Sequence, residues 1–344
     1  MVQSFPNKIF AQFCLTLKYL GETELPAAAG CGKNLYPQWP TRNDGNVYVG
    51  TSNNLILEGS IQRKFNMVLL GHTKPIAALS THPSDSSFVT AGSDKLVAKW
   101  RRSKLQWKVT IQCPALTVCH HPGGGVVAVG TQDGHMIVLT EDSGTHVTTI
   151  RMCGSSINAL KFNIYGDLVA GASHNGSVYI YKVTRDGFAY KKAGKMSGGQ
   201  MLSQLDWDSA GENIRTSSAD FTLNLWNCQT NKLEQVPSVL RNKEWVDETC
   251  LVSWALAGVW SNHNYHNSAI IETAHVGSER QLLVCGDREG FIRLFGYPST
   301  NPKSKYHQEK DVSGPVACAR FFYDDSYVIA VGGFEATLFK YKIK

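Results

Sequence analysis

The 344 residues are 42% hydrophobic and 18% charged, with 34 Lys and Arg against 28 Asp and Glu for a net charge of +6. This is a globular composition with length for a large core. No run approaches the roughly 20 apolar residues that cross a bilayer as a helix, and the mild charge falls short of a nucleic-acid-binding stripe. The nine cysteines are scattered, odd in number and free of any Cys-x-x-Cys pair. That predicts reduced, mostly buried thiols in a cytosolic protein, with no disulfide frame and no zinc site.

In chain order, residues 9–17 form an apolar run after Lys8, but Gln12 interrupts it and Lys18 follows at once, so no secretory leader is read. Residues 10–19 (FAQFCLTLKY) alternate as a strand, and 33–45 reads as a long polar loop. From there a self-similar pattern sets in: an apolar strand, small residues, an acidic or amide turn, then an alternating strand ending in a large residue. Copies are 88–100 (FVTAGSDKLVAKW), 126–139 (VVAVGTQDGHMIVL), 168–181 (LVAGASHNGSVYIY) and 214–226 (IRTSSADFTLNLW). Two more are 282–295 (LLVCGDREGFIRLF) and 328–341 (VIAVGGFEATLFKY), and 47–57 (VYVGTSNNLIL) is a degenerate early one. The turn residues Asp94, Asp133, Asn175, Asp220, Glu289 and Glu335 stand 39, 42, 45, 69 and 46 apart.

A period near 42 built from short alternating strands is what a β-propeller requires. Each four-stranded blade hides a face only by stacking on its neighbour, and closing the ring protects the edges. The expectation is all-β: a single propeller over 46–344 of about seven blades, with room for an irregular eighth. Residues 1–45 form an N-terminal arm whose strand at 10–19 closes the ring by completing the last blade. The 69-residue spacing marks an insertion of about 27 residues within 227–281, with enough apolar residues at 244–260 for two more strands. The repeat ending at Trp100 resembles a WD repeat. The resemblance implies a buried structural relay of His72, Thr90, Asp94 and Trp100, a sound role for polar groups inside a blade. Only Trp226 repeats the tryptophan.

Catalytic signatures are thin. Around Gly32-Lys33, Ala27 and Asn34 replace the glycine and Ser/Thr of a phosphate loop. His263 and His266 lack a third ligand, Asp206 and Asp208 read as turn carboxylates, and His120-His121-Pro122 matches the turn at His82-Pro83. No cofactor, metal or catalytic residue is expected. Charge is more informative. Lys95, Lys99, Arg101, Arg102, Lys104 and Lys108 form one acid-free group; Lys182, Arg185, Lys191, Lys192 and Lys195 form a second, and Lys303, Lys305 and Lys310 a third. All follow the third strand of a repeat, which predicts positive charge towards one face or its rim. Lys99, Arg101, Arg102, Lys104, Lys108, Lys191 and Lys192 are the candidate contacts to an acidic partner. Trp107 alone could offer a base a stacking platform, and it reads as packed between strands.

Several segments resemble, in the same order, the echinoderm microtubule-associated protein-like family. They are 46–60 (NVYVGTSNNLILEGS), 71–95, 121–134 (HPGGGVVAVGTQDG), 171–181 and Leu205-Asp206-Trp207. The most specific element is Trp245-x-x-x-Thr249-Cys250 followed by Gly258-Val259-Trp260. The resemblance is to the C-terminal one of that family's two tandem propellers, without its N-terminal coiled coil. It implies a non-enzymatic, cytoplasmic and cytoskeletal WD-repeat protein that serves as an interaction platform for tubulin or microtubules, with no nucleic-acid or membrane partner. The alternative expectation is a general cytosolic scaffold that holds other proteins and never touches tubulin.

Overall fold

The computed structural model describes residues 71–344, except 103, 185, 199, 235–242, 262–269, 279–280, 333, 335 and 344. Before residue 71 it describes the strands and the buried side chain of Leu57. The chain divides into two compact units, Met1–Lys74 and Pro75–Lys344. The first holds a three-stranded sheet, β1 (Val2–Phe5), β2 (Lys8–Phe13) and β3 (Lys18–Glu24), and a four-stranded sheet, β4 (Tyr36–Gln38), β5 (Val47–Gly50), β6 (Leu55–Gly59) and β7 (Asn66–Leu70).

The second unit is a ring of antiparallel sheets. Blade one is β8 (Ile76–Thr81), β9 (Ser87–Gly92), β10 (Leu96–Arg101) and β11 (Lys104–Thr110). Blade two is β12 (Ala115–His120), β13 (Val126–Thr131), β14 (His135–Thr140) and β15 (His146–Arg151). Blade three is β16 (Ile157–Phe162), β17 (Leu168–Ser173), β18 (Ser177–Val183) and β19 (Tyr190–Ser197). Blade four is β20 (Leu202–Trp207), β21 (Asn213–Ser218), β22 (Leu223–Asn227) and β23 (Lys232–Glu234). Blade five is β24 (Ile271–Val276), β25 (Leu282–Asp287), β26 (Phe291–Gly296) and β27 (Tyr306–Lys310). Blade six is β28 (Val316–Phe321), β29 (Tyr327–Gly332) and β30 (Leu338–Lys342). The recurring acidic or amide residues make the tight turns between second and third strands. Asp94, Asn175 and Asp220 each accept the backbone N–H two residues on, from Leu96, Ser177 and Thr222.

The ring has six blades among the described residues, not about seven, and no eighth. Two expected blades dissolve for different reasons. The copy at 47–57 supplies β5 and β6 of the other unit. The 69-residue spacing holds a wedge: residues 243–253, a 3-10 turn at Trp254–Leu256 and a short helix, α1 (Ala257–Ser261). The core consists of apolar layers between blades, and five junctions pack blade on blade. At the junction of blades four and five, the wedge supplies Leu256 and Val259 against Ile271, Leu283 and Phe295 instead.

Ring closure also differs from expectation. Blade six packs directly on blade one, with Ile76, Leu79, Phe88 and Trp100 against Cys318, Phe322, Ile329 and Val331. The segment at 10–19 instead forms part of the β2–β3 hairpin, where Gln12 lies opposite Tyr19. A buried apolar layer thus closes the circle, and among the described residues blade six has three strands. The outer strand β30 presents Lys340, exposed beside Lys342, a device that discourages edge-to-edge pairing. The expected boundary at 45/46 falls outside the described residues.

Candidate functional site

The inner strands β12, β16, β24 and β28 share one burial pattern: only the second and fifth residues are partly exposed. A bulge after the first residue shifts the alternation, so these positions turn to the central axis. With their equivalents they line a channel of about 480 Å³. One layer carries Leu116, Asn158, Ser203 and Glu272; the other carries Ser80, Cys119, Lys161, His275 and Arg320.

Blade four breaks the pattern. Its residue in the second layer, Asp206, is fully buried because the wedge covers it and places Asp247 and Thr249 on the channel wall. Asp206 Oδ1 accepts from Lys161 Nζ at 2.8 Å and Thr249 Oγ1 at 2.5 Å. Its Oδ2 accepts from Arg215 Nη2 at 2.8 Å and the Cys250 N–H at 2.9 Å. Arg215 also reaches Glu248 at 2.7 Å and lies 4.5 Å from the Trp245 ring, while Lys161 reaches Asp247 at 2.6 Å. Burial alone would raise the Asp206 carboxyl. Lys161 and Arg215, with hydrogen bonds from Lys161 and Thr249, instead hold it far below the usual carboxylate range. Asp247 is held at about 2: burial opposes the shift, and Lys161, His275 and Arg320 drive it.

This network explains the Trp-x-x-x-Thr-Cys motif residue by residue. Trp245 caps Arg215, and Thr249 and Cys250 cap Asp206. In the following Gly-Val-Trp, the Gly258 N–H donates to Ser299 O at 2.7 Å, and a side chain there would run into the carbonyls of Ser299 and Asn301. Trp260 Nε1 donates to Leu251 O at 2.8 Å. The motif is thus a clamp that seats the wedge. Asp208 does make a turn, accepting from the N–H groups of Glu212 and Asn213, but Asp206 does not: it is the hub. Near the axis, burial pushes the Cys119 thiol up to about 12, and burial followed by Arg320 pushes His275 down to about 3. Neither group is a ready nucleophile or acid at neutral pH.

Of the relay residues, Trp100 Nε1 donates to Thr90 Oγ1 at 2.8 Å, and Asp94 sits in the turn beyond. His72 is buried and belongs to the first unit. The same Trp–Thr bond recurs in blade four, Trp226 Nε1 to Thr216 Oγ1 at 2.8 Å, a repeat that the thirteen-residue copies already contained. His263 and His266 and the segment around Gly32 fall outside the described residues.

Lys104 and Lys108 lie on β11 and Lys191 and Lys192 on β19, the outer strands of their blades, so these four mark the rim; Arg101 ends β10 and Arg102 stands in the turn that follows. Arg101, Arg102, Lys104 and Lys108 on blade one and Lys191 and Lys192 on blade three are exposed. Lys99 is removed from the set: it is buried, with Nζ 2.5 Å from Glu141. Trp107 donates to Glu141 O at 2.8 Å and packs inward, so it offers no stacking platform. Blades one, three and five alternate around the ring, so their basic groups are separate sites.

A ring of WD-like blades with a clamped wedge at one junction defines a class of irregular β-propeller. The family model described as "Echinoderm microtubule-associated protein second beta-propeller" matches residues 76–343, nearly the whole ring. Human "Echinoderm microtubule-associated protein-like 2" is 32% identical over 302 residues, 86% of this chain and 46% of that protein. The "77 kDa echinoderm microtubule-associated protein" of Strongylocentrotus purpuratus is 29% identical over 299 residues, 86% and 43% respectively. That of Lytechinus variegatus is 28% identical over 325 residues, 93% and 48%. The chain belongs to the echinoderm microtubule-associated protein family, and it spans a little under half the length of these relatives. No helix among the described residues is long and apolar enough to cross a membrane.

Proposed function

We propose that the chain is a non-catalytic, microtubule-associated protein of the cytoplasm and cytoskeleton whose propeller is an interaction platform for tubulin or microtubules. The observation that carries this reading is the match of the whole ring to a family whose relatives are named as microtubule-associated proteins. The rim supports it. Exposed Arg101, Arg102, Lys104, Lys108, Lys191 and Lys192 attract acidic surfaces with modest, salt-dependent strength. Arg101 keeps only a loose pair with Asp85 at 3.8 Å.

The test is co-sedimentation of the full chain with stabilised microtubules at about 50 mM and about 300 mM salt. Pelleting is expected at low salt and is lost at high salt. The exposed-site variant K104E/K108E/K191E/K192E is expected to weaken it about tenfold. Failure of the wild-type chain to pellet at low salt overturns the reading and leaves a general scaffold.

A further inference from the structure

The central channel, at about 480 Å³, has room for a small molecule. Most of its polar lining is satisfied from within the chain. Ser80 Oγ meets His120 Nδ1 at 2.9 Å, Asn158 Nδ2 donates to Leu202 O at 2.7 Å, and Ser203 Oγ donates to Ser217 O at 2.9 Å. Lys161 is shared among Asp206, Asp247 and Thr249, and Arg288 holds Glu272 at 2.7 Å.

Arg320 is the exception. It is the fifth residue of β28, partly buried and facing the channel. Among the described residues its guanidinium makes no ion pair, and its Nε is buried with no hydrogen-bond partner. The one acceptor beside it is the Cys318 thiol, a weak one on the same strand. A guanidinium is a rigid fork of donors shaped for a carboxylate, and leaving it unfilled in a partly buried wall is costly.

The second open group is Asp247. Its Oδ2 takes Lys161 Nζ at 2.6 Å, whereas its Oδ1 has only His275 Nε2 at 3.7 Å, too far for a hydrogen bond. His275 Nδ1 accepts the Phe321 N–H at 3.3 Å, so the neutral ring carries its proton on Nε2. Arg320 belongs to the same sector of the wall. Burial followed by Arg320 pushes His275 down, and against burial Lys161, His275 and Arg320 pull Asp247 down.

Charge in this sector is balanced, not one-sided. Lys161, Arg215 and Arg320 stand against Asp206, Asp247 and Glu248. A lone anion or a lone cation would unbalance the wall. A molecule that carries both charges fills the two open groups and leaves it neutral.

We propose that the central channel is a binding site for a small zwitterion, with its carboxylate on the Arg320 fork and its ammonium on Asp247 Oδ1 beside His275. The α-amino acids are the simplest members of that class. The site does not rest on the microtubule reading.

The experiment is isothermal titration calorimetry of the full chain. L-Alanine and γ-aminobutyrate are the short and long zwitterions, and propionate and ethylamine are the carboxylate-only and amine-only controls. At least one zwitterion is expected to bind about tenfold or more tightly than either control, because each control gives up one charge-assisted contact. R320M, which keeps the length of the side chain, is expected to reduce the zwitterion to the level of ethylamine. Because Arg320 is unpaired, ligand-free R320M is expected to keep the wild-type melting temperature. Equal binding of zwitterions and controls, binding of none, or an R320M variant that keeps the preference overturns the site. A lowered melting temperature for ligand-free R320M overturns it too, since the guanidinium would then be satisfied within the chain. Failure of the chain to pellet with microtubules leaves the site standing, and loss of the zwitterion preference leaves the microtubule reading standing.

Discussion

Asp206 receives bonds from Lys161, Arg215, Thr249 and Cys250 and is fully buried. Replacing it with Asn keeps the shape but removes the carboxylate that Lys161 and Arg215 share, leaving each with one partner, Asp247 and Glu248, and an amide that cannot accept at both positions. D206N is therefore expected to lose about 3–5 kcal/mol in a urea melt, as for a buried pair broken on one side. Acid sensitivity follows from His275 in the same layer and from His120, the buried residue after Cys119 on β12. His275 and His120 are both pushed down to about 3, chiefly by burial, so the folded state binds fewer protons than the unfolded one below about pH 6.5. Stability is expected to fall as pH drops through that range. The depressed Asp206 and Asp247 carboxyls add a second loss from about pH 4 downward. In H275Q, whose amide oxygen can still accept the Phe321 N–H, the melting temperature is expected to vary less between neutral pH and about pH 4. An unchanged slope contradicts the buried neutral imidazole. Little of this was legible in the sequence. The partners of Asp206 lie up to 45 residues away, so no local pattern separates it from Asp208. Lys99 misled for the same reason, since its partner Glu141 lies a whole blade further on.

Among elements, the strands were legible because alternation and turn chemistry are local; Asp94, Asn175 and Asp220 announce their turns by type alone. The wedge was legible as an extra length but not as a form. Apolar residues at 244–260 suit a strand as well as a packed segment, and only the gap between blades four and five decides between them. Its seating is testable through Gly258, where an added methyl meets the Ser299 and Asn301 carbonyls. G258A is expected to cost about 1–3 kcal/mol in thermal or urea unfolding, the range for overpacking a tight site. A neutral effect contradicts the close approach. The outer strands carry charge at alternate positions, Lys104 and Lys108 on β11, which leaves Leu105 and Trp107 turned inward. That single alternation protects an edge and creates a rim that attracts acidic surfaces.

For the molecule, the period predicted a ring, but the number of blades depended on how far apart copies close. The copy at 47–57 has the right letters, yet the ring closes without it through the layer of Ile76 and Phe88 on Phe322 and Val331. Deleting residues 1–20 is therefore expected to leave the propeller's main melting transition unchanged. Aggregation or loss of that transition would restore the strand at 10–19 as the closing element. The proposed function has the basic rim meeting acidic surfaces of the microtubule. Zero-length carbodiimide cross-linking of the full chain to microtubules, read by mass spectrometry, tests this most directly. Cross-links from tubulin carboxylates to Lys104, Lys108, Lys191 and Lys192 are the predicted result. Cross-links confined to other lysines, or none at low salt, would contradict it.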